Sequence, residues 1–339
     1  MKALVSREPG LPASLRYEEV GDPEPGAGEV VLRMAACAVN FPDLLMIQDR
    51  YQVRPPRPFS PGAEVAGTIE RVGAGVRELA VGDRVMAICN WGGMAELVAI
   101  PASRCLPLPT AMPFADAAAL QITYGTAHYA LTRRGRVSAG DAVLVLGAGG
   151  GVGSAAVELA KALGADVTAA VSSEAKAGFA QRAGADEVLV YPAGPFDDAG
   201  RGELAGYFKQ SLTRRPDIIV DPVGGPYSEA ALRSIAWGGR LLVVGFAAGI
   251  PRIPLNLVLL KGAEIVPVPF GAVVERDPHE WRAVTAELTQ LYQDGAIRPH
   301  IWKVLPLSRG AEAIAALDRR EALGKMIIVP DAAWSEWPA

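Results

Sequence analysis

The sequence predicts an α/β protein with a β-rich, barrel-like domain and, inserted into it, a domain built on a doubly wound parallel sheet. Three observations lead to this prediction. Short apolar stretches separated by Gly and Pro fill roughly the first third of the chain. Residues 141–244 then alternate continuous apolar strands with helices, which is typical of a parallel sheet covered on both faces. The last part of the chain returns to short strands around one helix.

The β-rich domain is predicted from residues 1–122 and 271–339, and the inserted domain from residues 123–270. A length of 339 residues suits two domains. The proline-rich segment 54–62 can be neither a helix nor a central strand, because proline lacks the backbone N–H that both require. The strands predicted in the first segment include Val30–Met34, Val65–Val72 and Arg84–Ile88.

A glycine run, GAGGGVG at 147–153, is the strongest chemical signal in the sequence. It follows the predicted strand Ala142–Leu146 and opens a predicted helix, which is the context expected of a dinucleotide-binding turn. Glycines let the backbone approach a pyrophosphate, and the N–H groups of the helix start then face the anion. Ala148 stands where the first glycine of the usual pattern lies. A tight turn without any ligand is the alternative.

The residues after the second strand of the inserted domain favour NADPH over NADH. An Asp or Glu normally binds the ribose 2′-hydroxyl there, whereas this chain has Ser172 and Ser173. Their hydroxyls can donate to a 2′-phosphate, and Lys176 offers a positive charge one turn later. Tyr191, after the third strand, can lie against the adenine. Helix capping is the alternative role for the two serines.

Composition narrows the other possibilities. A net charge of −4 gives no reason to expect nucleic acid or an anionic membrane surface. Three histidines and three cysteines, without metal-ligand spacing, predict no metal site and no disulfide framework. No apolar run reaches ~20 residues and the N-terminus does not resemble a signal peptide, so a soluble cytoplasmic protein is expected. A hydrolase elbow, G-x-S-x-G, is absent.

The stretch from Ala36 to Tyr51, ACAVNFPDLLMIQDRY, closely resembles the quinone oxidoreductase branch of the medium-chain dehydrogenases/reductases. The resemblance continues through Ser60–Gly67 and the glycine run, from Lys2 to about Pro330. Zinc alcohol dehydrogenases of this superfamily carry Cys where this chain has Asn40 and His where it has Ala63. The resemblance therefore implies a zinc-free oxidoreductase with a GroES-like barrel domain and a Rossmann domain.

In the resembling family the cofactor lies between the two domains, and the match implies that Asn40 faces the nicotinamide and the substrate. For Phe246 and Phe270, core packing is the alternative. The full set of expected cofactor contacts is Asn40, Thr126, Gly150, Gly151, Val152, Gly153, Ser172, Ser173, Lys176, Tyr191, Gly245, Phe246, Val268, Phe270 and Lys325.

Tyr51 and Asn40 are the expected catalytic residues. The spacing from Asn40 to Asp43 and Tyr51 also resembles the enoyl-thioester reductases of the same superfamily, in which a tyrosine here is the proposed proton donor. Tyr51 as a simple wall of the pocket is the other possibility. Asp49 departs from both groups, which usually have Gly at this place, and it is expected to alter the loop and the mouth of the pocket.

The predicted function is hydride transfer from NADPH to a quinone, without zinc. Two alternatives stay open: reduction of the carbon–carbon double bond of an enone or enoyl thioester, and an NADPH-binding sensor or structural protein with little catalysis. A small-molecule quinone or enone is thus the expected partner. A homodimer is also expected, because the strand predicted near Glu264–Pro269 lies at a sheet edge suited to pairing with its twin.

Overall fold

A computed structural model describes residues 1–335 of the chain. Its chain contacts divide into two compact units, and the division falls between Ile122 and Thr123 and again between His300 and Ile301. Unit 1 contains residues 1–122 and the chain from 301 onward, and unit 2 contains residues 123–300. The expected barrel domain also included residues 336–339, which lie outside the described residues.

Unit 1 is built on antiparallel strands, and its helices are short. Its strands are β1 (Lys2–Val5), β2 (Arg16–Glu19), β3 (Glu29–Ala38), β4 (Glu64–Val72), β5 (Arg84–Ile88), β6 (Leu97–Pro101), β7 (Cys105–Pro107), β14 (Ile301–Pro306) and β15 (Lys325–Val329). Its helices are α1 (Phe41–Ile47), α2 (Phe114–Ala119), α11 (Gly310–Asp318) and α12 (Asp331–Trp334).

The main sheet of unit 1 has the order β14-β15-β3-β4-β5-β7, and β6 pairs with β3. Strand β3 is its centre, because it pairs antiparallel with β4, β6 and β15. Inward residues of these strands, such as Leu32, Val65 and Val85, are fully buried in one apolar core. Consecutive side chains are buried along much of β3, β4 and β5, so these strands are covered on both faces over most of their length. The sheet and its core are the GroES-like half of the predicted fold.

Unit 2 alternates strands and helices along its whole length. Its strands are β8 (Ala142–Leu146), β9 (Asp166–Val171), β10 (Glu187–Val190), β11 (Ile218–Asp221), β12 (Arg240–Val243) and β13 (Glu264–Pro267). Its helices are α3 (Gly125–His128), α4 (Gly151–Ala162), α5 (Glu174–Arg182), α6 (Asp198–Ser211), α7 (Gly225–Ser234), α8 (Leu255–Lys261), α9 (Phe270–Arg276) and α10 (Pro278–Gln293).

The six strands of unit 2 are all parallel, in the order β10-β9-β8-β11-β12-β13. Counted within the unit, this order is 3-2-1-4-5-6, which is the doubly wound Rossmann arrangement. The direction of winding reverses between β8 and β11, and ligands of such sheets bind beyond the carboxyl ends of the strands at that reversal. The predicted fold class is confirmed, and the edge strand expected near Glu264–Pro269 is β13.

The second predicted domain boundary is wrong. Residues 271–300 were expected to return to the barrel domain, but they belong to unit 2. Helices α9 and α10 pack against each other and against α3, which opens unit 2. The amphipathic face of α10 buries Trp281, Val284 and Leu288 in this packing. An amphipathic helix shows that it has an apolar face but does not show which domain that face covers.

The Ala-rich segment 113–131 does not form one continuous α-helix. After α2, the chain forms a π-helical turn at Leu120–Tyr124 and, after α3, a second one at Tyr129–Arg134. Among the described residues, no helix is long and apolar enough to cross a membrane.

Candidate functional site

The glycine run forms a tight turn between β8 and α4. Gly147 has a φ of +62°, which favours glycine, and the N–H of Gly150 donates to the carbonyl of Gly147 over 3.0 Å. The N–H of Ala148 donates to the carbonyl of Ala170 on β9, which ties the turn to the sheet. Helix α4 then begins at Gly151 with no side-chain cap among the described residues. Backbone N–H groups at this helix start are therefore available to an anion.

The glycines of the turn serve two different purposes. A Cβ at Gly153 would lie 2.2 Å from the carbonyl oxygen of Gly147, so only glycine lets α4 pack this closely on the turn. A Cβ at Gly150 would meet only that same oxygen, at an ordinary 3.5 Å. Gly150 is thus not required by packing within the protein. Its bare backbone faces space that a bound phosphate can approach, and the turn fits a dinucleotide diphosphate.

The two serines and the lysine lie beside this turn. Ser172 directly follows β9, and Ser173 precedes α5 without capping it through its side chain. Lys176 lies across Gly149, since a Cβ built on that glycine would come within 2.9 Å of the lysine Cδ. Its ammonium is 3.5 Å from the hydroxyl of Ser172. One positive charge and two hydroxyls thus gather at the end of β9, where the sequence predicted a 2′-phosphate site.

Four other expected contacts also lie at the carboxyl edge of the parallel sheet or next to it. Gly245 and Phe246 follow β12, and Val268 follows β13. Phe246 is half exposed, whereas Val268 and Phe270 are buried. The ring of Phe270 packs directly on Gly125, the neighbour of Thr126, and 5.9 Å from the ring of Tyr129. Phe270 therefore has the packing role considered as its alternative, while Phe246 keeps an exposed ring.

Tyr191 is placed less openly than the sequence suggested. Its side chain is 5% exposed and belongs to the apolar core of unit 2. Its ring centroid lies 4.8 Å from that of Tyr227 and 6.2 Å from that of Phe208. The ring thus supports the end of β10 from inside the unit.

In unit 1, Asn40, Glu64 and Lys325 form one buried polar network. The ammonium of Lys325 donates to Oδ1 of Asn40 at 2.7 Å, to Oε1 of Glu64 at 2.8 Å and to the carbonyl of Val39 at 3.2 Å. Nδ2 of Asn40 donates to Oε1 of Glu64 at 2.8 Å and to the carbonyl of Ala38 at 3.3 Å. The other carboxylate oxygen of Glu64 accepts from the N–H of Ile122. All three side chains are at least 96% buried.

This network gives Asn40 and Lys325 partners within the protein. Lysine has three N–H donors and the asparagine amide has two, and each of these donors has an acceptor. Asn40 was expected to face nicotinamide and substrate, and Lys325 to reach the cofactor. In the structure, both side chains join the ends of β3, β4 and β15.

Asp43 supports the same region from the first turn of α1. Its carboxylate accepts from the N–H of Asn40 at 2.7 Å and from the N–H of Gly62 at 3.0 Å. The side chain is fully buried, and this burial raises the pKa of Asp43 to about 7, although the two backbone N–H groups oppose the rise. The sequence showed the Asn40-x-x-Asp43 spacing, but it did not show that Asp43 also holds the turn before β4.

Asp49 keeps the backbone that glycine would have there. Its φ is +55°, a left-handed conformation that Asp adopts more readily than most residues. Oδ1 of Asp49 accepts from Arg57 at 2.8 Å, and the same guanidinium donates to the carbonyl of Ile47. The loop is therefore anchored by an ion pair. Tyr51, two residues later, is partly buried against the core of unit 1.

Within residues 1–335, no group of three or more His, Cys, Asp and Glu side chains is arranged to hold a metal ion. At two positions where zinc alcohol dehydrogenases carry ligands, this chain has Asn40 and Ala63. Asn40 contacts the ammonium of Lys325, so its amide oxygen already binds a fixed cation of the protein.

Comparison with known proteins agrees with this geometry. Residues 26–110 match the alcohol dehydrogenase GroES-like domain, and residues 151–290 match the model described as zinc-binding dehydrogenase. The quinone oxidoreductase-like protein 2 homolog of Nematostella vectensis is 32% identical over 331 residues, covering 96% of this chain and 88% of that protein. The chain belongs to the zinc-free quinone oxidoreductase family of the medium-chain dehydrogenases/reductases. It is an oxidoreductase of that superfamily.

Two further relatives show the range of this family. The structure of the mycobacterial protein Rv1454c complexed with NADPH is 30% identical, has a TM-score of 0.88, and covers 97% of this chain and 100% of that one. The human synaptic vesicle membrane protein VAT-1 homolog is 30% identical over 332 residues, covering 93% of this chain and 82% of that protein.

Proposed function

We propose that this protein binds NADPH and reduces quinones by hydride transfer, without a metal. The glycine turn between β8 and α4 is the observation that carries the proposal. It combines uncapped backbone N–H groups with a bare Gly150, in a Rossmann sheet, at the place where such sheets bind dinucleotides. NADPH, when bound, supplies the hydride.

The residues beside the turn support NADPH over NADH. Lys176, Ser172 and Ser173 together offer one charge and two hydroxyl donors to a 2′-phosphate. The end of β9 lacks the carboxylate that would bind a free ribose hydroxyl and repel a phosphate. Gly151, Val152 and Gly153, in the first turn of α4, would hold the diphosphate through their N–H groups.

The unit 1 network positions the acceptor side of the reaction. Because the amide of Asn40 is fully bonded to Lys325, Glu64 and Ala38, we assign it a positioning role and not that of a proton donor. A quinone that gains a hydride needs one further proton to become the hydroquinone, and solvent can supply it. The protein therefore needs to orient the ring and to exclude side reactions, and it needs no dedicated acid.

Reduction of an enone or enoyl thioester is the second candidate, and Tyr51 is the residue that favours it. Hydride addition to a carbon–carbon double bond leaves an enolate, and a phenol with a pKa near ~10 can protonate it. Tyr51 follows the anchored Asp49 turn and is partly buried against the core of unit 1. The two candidates differ in whether the hydroxyl of this side chain is required.

Steady-state oxidation of NADPH with 1,4-naphthoquinone and with crotonyl thioester tests both candidates. We expect turnover of the quinone, and we expect the kcat of Tyr51→Phe with this quinone to stay within about twofold of the wild-type value. The matched control is Tyr17→Phe, which removes an exposed hydroxyl bonded to Asp331 in the same unit. If only the thioester is reduced, and Tyr51→Phe alone lowers kcat by the roughly 10²-fold typical of a lost general acid, the second candidate replaces the first. NADPH binding without turnover of either acceptor would favour a non-catalytic role.

The proposal includes a homodimer formed through β13. This strand is the last in the sheet of unit 2, so one of its edges pairs with no other strand of the described residues. Large apolar side chains surround it: Trp237 and Leu259 are each 80% exposed, and Leu255 and Leu260 are also exposed. A second copy of the chain, related by a two-fold axis, would cover both edge and patch. Analytical ultracentrifugation should give a dimer for the wild type and a monomer for Leu259→Glu; a monomeric wild type would contradict the assignment.

A further inference from the structure

Four strands of unit 1 have one terminus at the same end of its main sheet, beyond Ala38. In the strand register, Ala38 at the end of β3 opposes Glu64 at the start of β4, which in turn opposes Ile88 at the end of β5. On the other side of β3, Ala38 opposes Ile327 near the start of β15. The residues just beyond these ends therefore lie together. They include Asn40, which the buried network fixes in place.

The loop after β5 is pinned to the segment before β4. Its N–H groups donate along that segment, from Cys89 to Ala63 at 2.9 Å, from Gly92 to Ser60 at 2.7 Å and from Gly93 to Gly62 at 2.9 Å. A Cβ at Gly93 would lie 2.9 Å from the carbonyl oxygen of Gly62, so the two backbones are in close contact. This loop is a rigid continuation of the sheet.

Trp91 lies at the tip of this pinned loop. Its neighbour Asn90 has a φ of +67°, a left-handed turn conformation that asparagine tolerates and that reverses the chain at this point. The indole is 36% exposed although the backbone on both sides of it is hydrogen-bonded. A rigid backbone that leaves a large ring in solvent loses little entropy when a ligand packs on that ring.

Phe41 presents a second exposed ring at the same end of the sheet. It is the first residue of α1, directly after Asn40, and it is 38% exposed. Its backbone is held because Asn40 before it donates to Asp43 in the same helical turn. Val81, another exposed apolar residue of this unit, lies in the turn that joins β4 to β5 at the opposite end of the sheet.

We propose that Phe41 and Trp91 are the specificity-determining residues for the acceptor and that they bind the flat ring system of a polycyclic quinone. This inference rests on the proposed function, because it assigns the acceptor class of the same site. Aromatic rings prefer offset or edge-to-face contacts with other flat rings, whereas an acyclic enone offers no such surface. The site should therefore favour naphthoquinones over acyclic acceptors through binding and not through the rate of the chemical step.

Trp91→Leu and Phe41→Leu test the proposal, and Trp334→Leu is the matched control. Trp334 is a similarly exposed tryptophan, 42% exposed, on α12 of the same unit. Each of the two site variants should raise the KM for 1,4-naphthoquinone about tenfold, the size of one lost ring contact, with kcat within about twofold. The KM for methyl vinyl ketone and the affinity for NADPH should not change. Trp91→Phe keeps an aromatic ring, so its KM for 1,4-naphthoquinone should stay close to that of the wild type.

Equal changes in KM for both acceptors, or no change in either, would overturn the proposal. Quenching of tryptophan fluorescence by menadione gives a readout that does not depend on turnover. Wild type and Trp334→Phe should show saturable quenching, and Trp91→Phe should lose most of it. If the wild type reduces no quinone but Trp91 still reports menadione binding, the proposed function fails and the aromatic site stands; unchanged quenching in Trp91→Phe removes the aromatic site.

Discussion

The glycine turn of unit 2 and the Asn40–Glu64–Lys325 network of unit 1 are both polar, but they are built in opposite ways. The turn leaves backbone N–H groups uncapped and keeps Lys176 and Ser172 at the surface of the sheet edge. In the network, every donor of Lys325 and of the Asn40 amide has an acceptor inside the unit. The turn has backbone donors left for a ligand, whereas Lys325 and the Asn40 amide have no donor left.

We propose that this difference separates binding residues from scaffold residues. A buried polar network that is fully satisfied specifies one arrangement of the strands it joins. A helix start that lacks a cap gains more from an anion than it would if a side chain already satisfied it. Resemblance to a family assigned Asn40, Lys325 and the turn alike to the cofactor, whereas the hydrogen bonds distinguish them.

The largest expected effect follows from removing the cation of the network. Lys325→Met leaves the carboxylate of Glu64 and the oxygen of Asn40 buried without their ammonium. Breaking a buried pair in this way costs about 3–5 kcal/mol. Urea unfolding of the variant and the wild type measures this loss.

Lys2→Met is the control for Lys325→Met, because Lys2 forms an exposed ion pair with Glu19 at 3.4 Å in the same unit. It should cost less than about 1 kcal/mol. The double variant Lys325→Met/Glu64→Gln should recover part of the loss, since no uncompensated charge remains. Equal losses for Lys325→Met and Lys2→Met would mean that the network is not a scaffold.

The two glycines of the turn should respond differently to the same methyl group. Gly153→Ala places a Cβ 2.2 Å from the carbonyl of Gly147, so we expect the turn to distort and NADPH binding to be lost. Gly150→Ala meets nothing closer than 3.5 Å, so the protein should fold normally. Its methyl group would stand where the diphosphate approaches, and the affinity for NADPH should fall about tenfold, or about 1.4 kcal/mol. Calorimetric titration measures the affinity of each variant for NADPH, and circular dichroism measures its folding. An unchanged affinity in Gly150→Ala would place the diphosphate elsewhere.

Asp43 should make the scaffold weakly dependent on pH. Burial raises the pKa of Asp43 to about 7, so between pH ~4 and ~7 the folded protein holds a proton that the unfolded chain releases. The contribution of this proton to the free energy of unfolding is therefore complete below pH ~4 and is lost as the pH rises through about 7. Asp43→Asn has no such proton. Its Tm should lie below that of the wild type, because an amide N–H would face a backbone N–H. This difference in Tm between the two proteins should narrow by a few degrees towards pH 8. A gap that widens with pH would contradict the raised pKa.

Local patterns in the sequence predicted the sheet of unit 2 and the turn that begins α4. Strands buried on both faces are continuous apolar runs, so β8 was predicted with the bounds that the structure has. Strand β5 was predicted equally well. The glycine turn was recognisable because its residues are consecutive and its context is a strand followed by a helix.

Features that depend on tertiary contacts were missed. Helix α1 begins at Phe41 with Pro42 next to it and is held by Asp43, whose second partner is Gly62, nineteen positions away. Helix α8 has leucines on its exposed face, so its pattern is not amphipathic. The partners of Lys325 are 285 and 261 residues away in the chain, and one sequence does not indicate such pairs. The same reason placed α9 and α10 in the wrong domain.

The dissociation constants of NADPH and NADH, measured by calorimetric titration of the wild type and Lys176→Ala, test the account most directly. We expect the wild type to bind NADPH at least about tenfold more tightly than NADH, and we expect Lys176→Ala to lose most of this preference without weaker binding of NADH. Wild-type protein that binds NADH as tightly as NADPH, or binds neither, would contradict it.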